Sequence, residues 1–123
     1  LLMIGDALAA QLTISRGPET RLDSPPLSLS MAATDAFLSY LYTWPDYRRL
    51  GVAKRLISST VNDLAAHDIR RIIAHVRATN VPSLAAFEHA GWKSEASILC
   101  TLGGRLLMAP GAERSGLCFR SLA

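Results

Sequence analysis

A cluster of basic residues surrounds a glycine where an apolar segment gives way to a segment with helical periodicity. The cluster consists of Arg48, Arg49, Lys54 and Arg55, and Gly51 lies within it. The first turn of a helix leaves backbone N–H groups without partners, and the peptide dipoles add a partial positive charge there. A helix that begins at Gly51 is therefore suited to bind an anion, and the small residues Gly51 and Ala53 would let a phosphate approach the backbone. The spacing predicts a phosphate site; the alternative is that the four cations form only a solvated helix face.

The elements that precede this site follow from apolar patterning and turn residues. Residues 1–4 and 7–15 are mainly apolar and flank Gly5-Asp6, which predicts a hairpin with a two-residue turn. Residues 16–30 contain one glycine and three prolines, which predicts a loop. Residues 36–43 are rich in aromatic side chains, which predicts a buried strand that leads to the phosphate site.

The elements after the site alternate between helix and strand. Apolar residues at helical spacing predict a helix over residues 51–66, and residues 71–76 predict a short apolar strand. Asn80 can cap a short helix that Gly91 ends in the left-handed conformation. Two further strands are expected, one over residues 93–102 and one within residues 106–120.

The predicted order is therefore β-β-β-α-β-α-β-β, an α/β fold with a parallel strand pair. The chain has 123 residues, of which half are hydrophobic, enough for one compact domain and too few for two.

Two sequence motifs resemble those of one acyltransferase superfamily. The first, Arg48-x-x-Gly51-x-Ala53, is similar to the R/Q-x-x-G-x-G/A pattern of the GNAT acetyltransferases. The second, Asn80-x-x-Ser83-x-x-x-Phe87-x-x-x-Gly91-Trp92, looks like the N-x-x-A/S-x-x-x-Y/F-x-x-x-G-F pattern of the same superfamily. One predicted helix and one predicted strand separate the two motifs, as they do in that superfamily. The resemblance covers residues 36–102, and residues 1–15 match as the preceding hairpin.

The resemblance implies a GNAT-like mixed central sheet flanked by helices, with acetyl-CoA as the cosubstrate. In that superfamily the pyrophosphate lies on the backbone amides of the first motif, the preceding strand pairs with the pantetheine arm, and the asparagine bonds the pantetheine. The residues thereby implied in coenzyme binding are Leu41, Tyr42, Thr43, Arg48, Arg49, Leu50, Gly51, Val52, Ala53, Lys54, Asn80, Ser83 and Phe87.

The chain departs from the superfamily pattern at two places. The opening strand and helices that shape the acceptor site are missing. We therefore expect residues 1–123 to be a single, N-terminally incomplete domain whose acceptor pocket is truncated, swapped between subunits or supplied by a partner. Many relatives also have, four residues before the glycine of the second motif, a tyrosine that protonates the leaving thiolate. Here this position is Phe87, whose ring has no proton to donate.

The general base is left unassigned by the sequence. Its candidates are Asp35, Tyr40, Asp46 and His89. The residue types favour a packing role on a strand for Tyr40 and an exposed position on a short helix for His89 over a catalytic role for either.

The resemblance implies an acetyl-CoA-dependent N-acetyltransferase that transfers the acetyl group to a primary amine of a small molecule or peptide, by direct attack on the thioester. The alternative is a non-catalytic GNAT-like module that binds acyl-CoA or serves as an interaction module. Phe87, the lack of a glutamate on the predicted strand and the missing N-terminal elements favour the module, whereas the complete phosphate motif and Asn80 favour the enzyme. The open sheet edge expected in place of the opening strand would favour a homodimer.

Composition excludes several other classes of protein. The net charge of +3 comes without a long basic stripe interleaved with aromatics, so we expect no nucleic-acid partner. No apolar run reaches the roughly 20 residues of a membrane span. The three histidines have no metal-ligand spacing, so no metal is expected, and Cys100 and Cys118 are interpreted as reduced thiols of a cytoplasmic protein.

Overall fold

The computed structural model describes residues 1–22 and 26–122. In these ranges the strands are β1 (Leu2–Ile4), β2 (Ala7–Arg16), β3 (Glu19–Leu22), β4 (Leu27–Ser30), β5 (Asp35–Thr43), β6 (Arg71–Ala74), β7 (Leu99–Cys100), β8 (Leu106–Met108) and β9 (Cys118–Ser121). The helices are α1 (Val52–Ala65) and α2 (Val81–His89), and a single 3-10 turn, Pro45–Tyr47, precedes α1.

The central sheet has four strands in the order β1-β2-β5-β6. Ile4 pairs with Ala7 around Gly5-Asp6, which confirms the predicted hairpin. β2 and β5 are antiparallel, whereas β5 and β6 are parallel and are connected through α1. The mixed sheet with flanking helices is thus the predicted fold class.

Consecutive residues of β5 pack on opposite faces of this sheet, as strand geometry requires. Leu38 packs with Ile57 of α1 and Phe87 of α2. Phe37 packs on the other face with Leu27 and Leu29 of β4. β5 therefore lies at the centre of the core, and both helices are held against its Leu38 face.

The prediction of a loop over residues 16–30 is wrong for most of that range. β3 and β4 form a hairpin there and make a second sheet with β9, in the order β3-β4-β9. Pro18 and Pro26 lie just outside the strands, where a missing N–H costs no ladder bond. Burial of the leucines of β3 and β4 accounts for the hairpin, while Pro25 lies outside the described residues.

The strand predicted over residues 93–102 is mostly wrong as well. Only Leu99–Cys100 pairs, with β8, in a separate two-stranded sheet. Ser97 instead donates its N–H to Pro110 O (2.9 Å), and Ser115 Oγ bonds to Glu95 O (3.5 Å). The C-terminal loop therefore holds this segment away from a sheet. The strand expected within residues 106–120 is resolved as β8 and β9.

Neither described helix is long and apolar enough to cross a membrane.

Candidate functional site

The central sheet opens where β5 and β6 part. Asp35 to Leu38 pair with Arg71 to Ala74, and β6 then ends while β5 continues to Thr43. Residues 39–43 pair with β2 along one edge. Along their other edge, no strand in the described ranges pairs with them. β5 therefore presents a free edge at its carboxyl end.

A β-bulge interrupts β5 within this free segment. Gln11 pairs with Tyr42 and Thr13 with Ser39, so Tyr40 and Leu41 lie opposite a single residue of β2. Tyr40 has a φ of 53°, in the left-handed region that non-glycine residues rarely adopt, and 62 % of its surface is exposed. A bulge of this kind turns a peptide group out of the ladder, as often occurs beside active sites.

The loop between β5 and α1 leaves backbone N–H groups without a hydrogen-bond partner in the described ranges. Gly51 has a φ of 73° and caps α1, and Arg49 has a φ of 63°. The first helical hydrogen bond runs from Arg55 N–H to Gly51 O (3.1 Å). In the described ranges no hydrogen bond uses the N–H of Gly51 or of the three residues after it, and a Cβ at Gly51 would meet no atom within 4 Å. Residues 48–54, named the phosphate loop here after the role that the sequence predicts for them, therefore have open space and unpaired donors.

The remaining residues of the phosphate loop differ in exposure. Leu50 and Lys54 are exposed and Ala53 is half-buried. Val52 is buried and packs with Ala9 and Ala10 of β2, which fixes the start of α1 against the sheet.

The side chain of Arg48 turns back toward β5. Its Nε donates to Thr43 O at 3.0 Å, and its guanidinium carbon lies 5.5 Å from the centre of the Tyr42 ring. Tyr42 in turn meets Trp44 edge-on, with ring centres 5.0 Å apart. These contacts were not predicted from the sequence, because the motif specifies the spacing of Arg48 and not the direction of its side chain.

The second motif caps and anchors α2. Asn80 is exposed, and its side-chain oxygen accepts the Ser83 N–H at 3.4 Å, as the sequence predicts for a helix cap. Phe87 is buried and contacts Trp92, with ring centres 4.8 Å apart. Phe87 therefore fills the core between α2 and β5.

The candidate acid–base residues are distributed over different elements. Tyr40 lies in the bulge, Asp46 is exposed in the 3-10 turn, and His89 is exposed in the last turn of α2. No polar contact in the described part of the chain joins any two of them. Asp35 is engaged elsewhere: it is 3 % exposed and forms an ion pair with Arg71.

A large cavity lies beside β6 and not at the phosphate loop. It is a groove of about 1200 Å³, and none of its lining residues belongs to residues 39–60. His75 lines it at the end of β6, and the pKa of His75 is lowered by burial and, second, by the positive charge of Arg77. Burial in this groove therefore favours the neutral form of the His75 imidazole. Within the described residues, no group of three or more His, Cys, Asp or Glu side chains is arranged to hold a metal ion.

Several solved structures with a similar fold are described as acetyltransferases. YycN from Bacillus subtilis, described as an acetyltransferase, matches 62 % of this chain and 51 % of its own, at 20 % identity and a TM-score of 0.51. The ribosomal-protein-S18-alanine N-acetyltransferase from Escherichia coli matches 98 % of this chain and 66 % of its own, at 20 % identity and a TM-score of 0.56. An acetyltransferase from B. subtilis in complex with CoA matches 98 % and 74 %, at 10 % identity and a TM-score of 0.53.

The chain thus spans about half the length of YycN and two thirds of the alanine acetyltransferase. At these identities the likeness shows the fold alone. No curated protein matches the sequence significantly. The sequence pattern of the Acetyltransferase (GNAT) family, in contrast, matches residues 3–92, which include the β-bulge, the phosphate loop and α2. The chain therefore belongs to the GNAT family of acetyltransferases.

Proposed function

We propose that the protein is an acetyl-CoA-dependent N-acetyltransferase that acts on a primary amine of a small molecule or peptide. One observation carries the proposal: the free edge of β5 leads directly into the unpaired N–H groups at the start of α1. An extended amide chain that ends in a pyrophosphate matches both features, since the edge offers strand-like hydrogen bonds and the helix start offers anion binding.

The unpaired backbone N–H groups of Gly51 and the three residues after it would hold the pyrophosphate, and the edge at Leu41 and Thr43 would pair with the pantetheine. The bulge at Tyr40 and Leu41 lies farther along the same edge, where a peptide N–H turned out of the ladder could polarise a carbonyl oxygen. Holding the thioester beside an amine supplies most of the rate gain in such a reaction, through proximity and orientation.

The transfer itself needs two proton movements. An uncharged amine attacks the thioester carbon, the C–S bond breaks, and the departing thiolate takes up a proton, while a base removes a proton from the amine nitrogen. Phe87 cannot supply the proton, and we assign neither role to Tyr40, Asp46 or His89.

A non-catalytic acyl-CoA-binding module is the second candidate. It is favoured by the burial of Phe87, which has no hydroxyl, and by the separate positions of the acid–base candidates. Release of free thiol from acetyl-CoA in the presence of a panel of amines distinguishes the two, because a module binds the coenzyme without releasing thiol.

Two expectations from the sequence extend this proposal. A homodimer would form through the exposed edge strand β1, where Met3 and Ile4 are exposed, and light scattering would show its mass. The two thiols, Cys100 and Cys118, are unpaired, which supports a reducing, cytoplasmic location.

Calorimetric titration of CoA and acetyl-CoA tests the site itself. The parent chain is expected to bind both, and Gly51→Glu is expected to lower the affinity at least about tenfold, because the carboxylate repels the phosphates at short range. Gly51→Gln has the same size and the same backbone strain without the charge. Gly91→Glu places a carboxylate at another open, left-handed glycine (φ 90°) outside the phosphate loop.

The two controls make the titration decisive. Tight binding by Gly91→Glu, weak binding by Gly51→Glu and a smaller loss in Gly51→Gln together support the proposed site. No binding by the folded parent chain, or an equal loss in both Glu variants, contradicts it.

A further inference from the structure

We propose that Arg48 is a positioning residue, whose Nε–H group holds the phosphate loop against the end of β5, and not a direct cationic ligand of the phosphates. The inference rests on the proposed coenzyme site and concerns how that site is kept in shape. It starts from the bond between Arg48 Nε and Thr43 O, which joins the last residue of β5 to the first residue of the phosphate loop.

The direction of the Thr43 carbonyl gives this bond its significance. Trp44 N–H donates to Ala9 O at 2.9 Å, and Thr43 pairs with Ala10. In an antiparallel ladder this pattern makes Thr43 and Ala10 a non-hydrogen-bonded pair, so the backbone groups of Thr43 point to the free edge. Arg48 therefore bonds to the same edge that the coenzyme would use. A carbonyl oxygen has two lone pairs, so one remains for a ligand.

A second contact keeps the guanidinium on the strand. It lies over the Tyr42 ring, which is itself braced by Trp44. A cation over an aromatic face is attracted to it, even at exposed sites. The bond to Thr43 O and the contact with the Tyr42 ring together hold the Arg48 side chain along β5, so its positive charge points toward the strand.

The neighbouring Arg49 differs from Arg48 in this respect. It is exposed, it has a left-handed backbone near the start of the phosphate loop, and no hydrogen bond or ion pair of its side chain is found in the described ranges. Arg49 is the matched comparison, because its replacement removes the same charge from the same loop without removing the bond to Thr43.

The position of the donor atom gives the test. In glutamine the amide nitrogen Nε2 stands at the same number of bonds from the backbone as Arg Nε, so Arg48→Gln retains a donor for Thr43 O and loses the charge. In lysine that position is a carbon, so Arg48→Lys retains the charge and loses the donor. A positioning role and a charge role therefore predict opposite rankings of the two variants.

Titrations of CoA into the parent chain and into Arg48→Gln, Arg48→Lys and Arg49→Gln measure this ranking at two salt concentrations. We expect Arg48→Lys to weaken binding about tenfold and Arg48→Gln less than about threefold, as the loss of one charged hydrogen bond implies. Arg48→Gln is expected to keep the salt dependence of the parent chain, and Arg49→Gln to reduce it. Circular dichroism confirms that each variant is folded, which is expected because Arg48 is exposed and outside the core.

The outcomes separate this inference from the proposed function. If the parent chain does not bind CoA, the coenzyme site fails, and the inference fails with it. If the parent chain binds but Arg48→Lys binds as well as or better than Arg48→Gln, the charge is what matters and the positioning role is overturned. A lower salt dependence in Arg48→Gln than in the parent chain would overturn it too.

Discussion

Replacing Arg71 by methionine should destabilise the fold strongly, because it leaves the buried Asp35 carboxylate without its cation. Asp35 is 3 % exposed and accepts hydrogen bonds from Arg71 Nε (3.1 Å), Arg71 Nη2 (2.5 Å) and Ala32 N–H (3.0 Å). Arg71 also donates through Nη1 to Ser115 O. The pair thus joins the starts of β5 and β6 to the C-terminal loop. Only the Ala32 bond survives the substitution.

The magnitude follows from the burial of the two partners. Removing one partner of a buried ion pair costs about 3–5 kcal/mol. The side chain of Arg71 is 35 % exposed, so water can reach the carboxylate once the guanidinium is gone. The lower end, about 3 kcal/mol, is therefore expected. In a chain of 123 residues each kcal/mol shifts Tm by about 4 °C, so Tm should fall by about 12 °C.

Urea unfolding followed by circular dichroism measures this loss of stability. Arg70→Met makes the same chemical change at the preceding, exposed residue and should stay within about 0.5 kcal/mol of the parent chain. The double variant Asp35→Asn/Arg71→Met removes both charges and should be more stable than Arg71→Met alone. A loss of less than about 1 kcal/mol in Arg71→Met would refute the reasoning that Asp35 depends on this pair.

Two further predictions concern the groove and the cap of α2. Because the pKa of His75 is lowered in the folded chain, the unfolded chain takes up the proton first as the pH falls below the ordinary value of 6.5. The neutral His75 therefore contributes its full share of stability above that pH, and this share is lost as the pH falls further. His75→Gln should therefore lose less stability than the parent chain between about pH 7.5 and about pH 5.5, and parallel unfolding profiles would contradict this. Asn80→Ala should lower the free energy of unfolding by about 0.5–1 kcal/mol. Asn80→Ser retains an oxygen that can cap the helix, so its free energy of unfolding should stay close to that of the parent chain. If Asn80 also bonds the pantetheine, both variants should weaken CoA binding but leave binding of ADP unchanged, and equal losses with both ligands would point to the helix alone.

Local signals made the central part of the fold predictable from the sequence. α1 begins and ends within one residue of its expected bounds, because its buried residues recur at helical spacing and Gly51 marks its start. α2 was predictable from Asn80, which caps it, and from Gly91, which has the expected left-handed conformation. These signals act within a few residues of the chain, and the sequence shows them directly.

The second sheet was not predictable for the opposite reason. β9 pairs with β4, so that Phe119 lies beside Leu29 although most of the sequence separates the two residues. Nothing local in either segment specifies this partner, and the prolines beside β4 indicate a loop. The same limit applies to residues 93–98, whose apolar alternation is typical of a strand although Pro110 and Ser115 hold the segment in the C-terminal loop.

In the site, residue types were predictable but backbone geometry was not. The left-handed conformation of Gly51 follows from its type, since glycine adopts it without strain. The same conformation at Tyr40 and Arg49 does not, because both residues disfavour it. Such strain persists only where the surrounding structure imposes it, and it tends to occur at functional sites.

The site owes its location to two strands of unequal length. β5 has nine residues and β6 has four, and their register begins together at Asp35 and Arg71. The unmatched residues must then lie at the carboxyl end of β5, which is where ligands bind in open α/β sheets. The chain enters α1 from that same end, so the free edge lies next to the unpaired N–H groups of the helix, and no other element is needed to bring them together. If β6 were longer by five residues, it would pair with the whole of β5 and close the free edge. The start of α1 could then still bind an isolated phosphate. An extended ligand attached to that phosphate would find no strand edge to pair with.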